Sequence, residues 1–141
     1  MDNSVLVAII TVSGSVIIAG LTYYLTKKHE ITVKWRQEKL NHYKVLLSSL
    51  SDLAVDGTNK DEANRNLSLA VNTIALVASQ DVISALMDFH NEVKSSNPDR
   101  SPKKHDELLQ VLLLAIRQDI GLSGKDDKGS FDFHLIGSRS G

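Results

Sequence analysis

SVLVAIITVSGSVIIAGLTYYL, residues 4–25, is 22 residues long without one charged side chain, and Thr26, Lys27 and Lys28 close it. At about 1.5 Å of rise per residue, a helix of this length covers roughly the 30 Å of hydrocarbon in a bilayer. The spacing predicts a transmembrane helix at the amino terminus. A secretory signal would need a basic leader and a shorter apolar core, roughly 7–15 residues. Here only Asp2 and the terminal amine precede the run, so the segment is expected to stay as an anchor. Lys27, Lys28, Lys34, Arg36 and Lys39 all follow it, which by the positive-inside rule puts the carboxyl-terminal part in the cytoplasm of a single-pass inner-membrane protein. Tyr23 and Tyr24 stand where an interfacial aromatic belt belongs.

One face of this helix is patterned. Ser4, Ala8, Thr11, Ser15, Ala19 and Thr22 follow at steps of three and four, which aligns small and hydroxyl side chains in a stripe. Such a stripe lets helices approach closely, and its hydroxyls can bond across a contact. The pattern suits a self-associating span, and the same residues also serve an ordinary lone anchor.

With residues 1–28 assigned to the span and its flanks, 29–121 read as a helical domain and 122–141 as a tail. Leu40, Tyr43, Leu47, Leu50 and Ala54 form one stripe after Lys34, and nothing between Lys27 and Lys34 breaks a helix strongly. Asp56–Asn59 reads as a turn. A second helix is expected over Asp61–Ala78. A third opens at Ser79 and buries Val82, Ile83, Leu86, Phe89 and Val93. Ser101 and Pro102 start a fourth, with Leu108 to Ile120 as its apolar run and Gly121 as its stop. Phe131–Ile136 alternates, and fits a strand or an extended arm that docks on a neighbour. The expected fold is all-α: one transmembrane helix, then a cytosolic antiparallel bundle of about four helices, with a short extended tail.

Catalytic and metal chemistry find no motif. There is no phosphate-cradling glycine loop, no His-Glu-x-x-His and no nucleophile elbow, and the five histidines have no i,i+4 pair. Cysteine is absent, so thiolate metal sites and disulfides are excluded. The chain reads as a non-enzyme with no cofactor. Its formal net charge of −1 argues against a dedicated DNA or long-RNA binder.

Binding has better candidates. Trp35, Arg36, Lys39, His42 and Tyr43 lie on adjoining turns and combine cations with rings, a set suited to phosphates and stacked bases. The same residues suit anionic lipid headgroups at a membrane surface. Arg117, set in LLLAIRQDIG, is either a ligand-binding cation or a local one that caps carbonyls or pairs with an acid such as Asp119. Arg139 in the tail could reach across an oligomer.

The uncharged span, KWRQEKLNHYKVLLSSL (residues 34–50) and LLLAIRQDIGLSG (residues 112–124) together resemble the small single-pass membrane effectors of type III CRISPR defence. The likeness covers most of the chain in layout. It implies a homo-oligomer that senses a cyclic oligoadenylate, cyclic tetra-adenylate in that family, and disturbs the inner membrane during phage infection. On that reading Arg36, Lys39, His42, Tyr43, Arg117 and Arg139 are the ligand-binding candidates. The alternative is a membrane-tethered helical scaffold that recruits a protein partner and has no nucleotide ligand.

Overall fold

The uncharged run is helical throughout, and the helix does not stop where the charges begin. A computed structural model describes residues 2–55, 57, 59–122 and 126–136. In it helix α1 spans Asn3–Ala54 without interruption. No proline falls in that stretch, and several of its hydroxyl residues fold back on the backbone. Thr11 donates to the Val7 carbonyl at 2.8 Å, Ser13 to Ile9 at 2.8 Å and Ser15 to Thr11 at 2.9 Å. These bonds satisfy the hydroxyls within the helix, as an apolar medium demands.

The chain divides into two compact units, the first ending at Gln37 and the second beginning at Glu38. The first is α1 alone. From Ser4 to Leu25 every residue but Gly14 is exposed. This is the one helix among the described residues long and apolar enough to cross a membrane.

The second unit holds the rest of α1 and three further helices: α2 (Lys60–Ile74), α3 (Gln80–Val93) and α4 (Pro102–Asp119). The chain is all-helical, with no strand among the described residues. The four helical segments expected after the span are present, the first of them as the carboxyl-terminal part of α1. Each boundary has a local cause. Asn59 caps α2, its side-chain oxygen accepting from the Asp61 and Glu62 amides. Helix α2 ends at Ile74, not Ala78, because the next residues tighten into turns: the Leu76 and Val77 amides donate to Thr73 and Ile74, three residues back. Gly121, at φ +81°, ends α4 in a Schellman turn, with the Leu122 amide on the Arg117 carbonyl and its own amide on Gln118. The Asp56–Asn59 turn lies partly outside the described residues.

One cluster of buried side chains draws on all four helices. Tyr43, Leu46 and Leu50 come from α1, Ala70 and Ile74 from α2, Val82, Ala85, Leu86 and Phe89 from α3, and Leu109, Leu112 and Ile116 from α4. Helices α3 and α4 pack most extensively against each other. Of the two forms expected for Phe131–Ile136, the strand is not adopted. The segment is irregular and lies on its own α4: Gln110 donates to Asp132 at 3.0 Å and to the Phe133 carbonyl at 3.4 Å, and Leu135 packs against the core.

Candidate functional site

The cation-and-ring set of the sequence separates when its residues are placed. Arg36 belongs to the first unit and is exposed. Lys39, His42 and Tyr43 belong to the second, and they do different things. Tyr43 points inward, 1% exposed, because it continues the Leu46 and Leu50 stripe of α1. His42 lies half-buried with Nε2 3.5 Å from Glu38. Lys39 reaches Oδ1 of Asp119 at 2.8 Å.

Asp119, the last residue of α4, is the centre of this group. Its second oxygen accepts the Tyr43 hydroxyl. Ser79 is the N-cap of α3 and makes no side-chain cap bond. Burial opposes ionisation of Asp119, but the Lys39 and Tyr43 donors outweigh it and hold the carboxyl below its ordinary range. Burial and the adjacent carboxylate push the Tyr43 phenol far up, so it stays a donor.

Arg117 takes another acid. Residues two apart on a helix do not face each other, so Asp119 is out of its reach as a partner. The guanidinium instead grips Asp126 through both Nε and Nη2, each at 2.8 Å, and lies 6.0 Å from the Phe131 ring centre. The bidentate bond raises the Arg117 pKa and lowers that of Asp126. About 39% of the Arg117 side chain stays exposed. Arg139 lies outside the described residues.

Sequence reasoning missed two residues that matter here. Glu92 is buried at the end of α3 and ties down the loop that follows. Oε1 accepts the Ser101 amide at 2.9 Å, and Oε2 takes Lys104 at 3.3 Å and Asn97 at 3.3 Å. The Ser101 amide is the main cause of its lowered pKa. A signal was present, because Glu92 stands three residues after Phe89 on the buried stripe of α3. Asp126 offered none, lying nine residues from Arg117 in a polar stretch.

Chemically, the second unit offers charge pairs that are already closed. Between α1 and α2 runs a groove of about 420 Å³ whose walls include His42, Ser48, Asp52, Asn66 and Thr73, more hydroxyl than cation. No three histidine or carboxylate side chains converge on a metal-sized space among the described residues. No family model matches the chain, and no curated protein or solved structure matches it either.

Proposed function

We propose that this is a single-pass inner-membrane protein whose carboxyl-terminal helices form an antiparallel bundle at the cytoplasmic face and act there as a tethered binding module. The observation that carries this reading is the Ser4–Leu25 helix, uncharged and exposed throughout but for Gly14. A soluble core helix of that composition would be covered, since apolar surface in water is costly. Alkaline extraction and protease protection test it. The full chain stays with the membrane pellet, and protease added to the cytoplasmic side removes the second unit. Release into the supernatant overturns the reading.

A second reading, sensing of a cyclic oligoadenylate, is favoured by one observation. Arg117 is half-exposed, carries its charge beside the Phe131 ring and is held by a single exchangeable carboxylate. A phosphate that displaced Asp126 would find a guanidinium fork and a ring for a base. Lys39 suits such a ligand less, because Asp119 would lose a buried partner. Calorimetric titration of the full chain with cyclic tri-, tetra- and hexa-adenylate decides between the two. Binding of one ring that is lost in Arg117→Ala supports the sensor. No binding to any ring leaves the tethered module.

A further inference from the structure

Beyond the uncharged run, the first unit continues for twelve residues as bare helix, Thr26–Gln37. Its side chains sort by face. Tyr24, Lys27, Lys28, Ile31, Lys34 and Trp35 follow at helical spacing and share one side. Tyr24 (61%), Ile31 (55%) and Trp35 (58%) are exposed. Lys27 pairs with Glu30 at 3.1 Å, whereas Lys28 and Lys34 take part in no ion pair among the described residues. A face of rings and apolar carbons flanked by unpaired ammonium groups is left without a partner.

We infer that this face binds the headgroups of anionic lipids and so fixes the rotation of α1 about its own axis. The inference rests on Ser4–Leu25 spanning the membrane. The charge complementarity is direct, since cytoplasmic leaflets are negative and attract juxtamembrane lysines. So is the geometry. The headgroup layer adds about 5–7 Å beyond the hydrocarbon on each side. Lys27 and Lys28 follow Leu25 by about 3–5 Å of helix rise and sit within it. Lys34 and Trp35 follow by about 13–15 Å, but side chains on a helix lean toward its amino terminus, here toward the bilayer. The flexible lysine stem brings the ammonium back several ångströms. A lean toward this side, within the tilt of about 20° common to spanning helices, lowers Trp35 further. The rotation matters because the Ser4–Thr22 stripe lies on the other side of α1 from this face. Holding the one against lipid headgroups turns the other away from them.

Trp35 is the only tryptophan, so its fluorescence reports on this face directly. The full chain is reconstituted into vesicles of phosphatidylcholine alone and of phosphatidylcholine with phosphatidylglycerol, and flotation establishes insertion in each. With the anionic lipid, Trp35 emission shifts to shorter wavelength and acrylamide quenching falls. High salt reverses both changes, and Lys28→Glu with Lys34→Glu abolishes them while the protein still floats. Equal emission and quenching in the two kinds of vesicle overturn the inference. So does a shift that follows the protein-to-lipid ratio and ignores lipid charge, for then a second copy covers the ring. A chain that does not float refutes the span itself, a distinct failure.

Discussion

The two units solve opposite problems with the same secondary structure. In the first, helix α1 turns its apolar side chains outward: Val12, Ile17 and Leu21 are all more than half exposed. In the second, the same helix turns Tyr43, Leu46 and Leu50 inward to 5% exposure or less. Hydrogen bonding follows the same divide. In the first unit Thr11, Ser13, Ser15 and Thr32 each place their hydroxyl on the carbonyl four residues back. The second uses the same local bonds at Ser49, Ser51, Ser68 and Thr73 and adds others across long stretches of chain, as when Lys39 meets Asp119. A local solution suits a lipid environment, where no other partner exists. A long-range one suits a domain that closes on itself in water. The difference teaches that one unbroken helix can be read as two objects by asking where its polar groups find partners.

The strongest way to break the contrast is to remove the acid at the centre of the second unit. Asp119→Ala leaves the Lys39 ammonium and the Tyr43 hydroxyl without their acceptor, and should cost about 3–5 kcal/mol. Urea unfolding of the full chain in detergent reads it out. Leu112→Ala empties a fully buried site on α4 and should cost about 2–5 kcal/mol by the same measurement. Val12→Ala in the first unit should leave that unfolding curve unmoved, since Val12 is exposed.

Val12→Asp attacks the first unit alone. A carboxylate at the middle of a span costs about 3 kcal/mol of insertion free energy, so membrane retention falls while the second unit still folds. Loss of both together would sink the division into two objects. A smaller effect is expected at the start of α2, where Asn59→Ala removes a cap and should cost about 1 kcal/mol.

The pH dependence gives the finest test. The folded pKa of Asp119 lies below the unfolded value, so its contribution is complete above about pH 4 and fades as pH falls through the folded pKa. Tyr43 works in the other direction. Its folded pKa is raised, so its contribution is full below about pH 10 and declines above. Stability measured against pH should therefore fall at both ends, and Asp119→Asn should flatten the acid limb. An unchanged acid limb in that variant would show that other carboxylates carry it.

Much of this architecture was legible in the sequence because it is local. The missing charges of residues 4–25, Pro102 after Ser101 and Gly121 after the last apolar turn all act within a few residues, and α1 begins, and α4 begins and ends, close to them. The Tyr43–Leu50 stripe was legible by period alone, although it placed Tyr43 among ligand candidates as well as in the core. The charge partners were not legible. Lys39 and Asp119 are 80 residues apart, and nothing in either neighbourhood encodes the other. Arg117 beside Asp119 looked like a pair only because the two are near in sequence, which on a helix turns them apart.

The 80-residue separation between Lys39 and Asp119 also has a consequence for synthesis. A ribosome adding about 5–20 residues per second takes about 4–16 s to go from Lys39 to Asp119. For most of that interval Tyr43, Leu46 and Leu50 are already made and have no α4 to cover them. The nascent chain therefore waits with a bare apolar stripe on α1. Its companion helix is among the last to arrive.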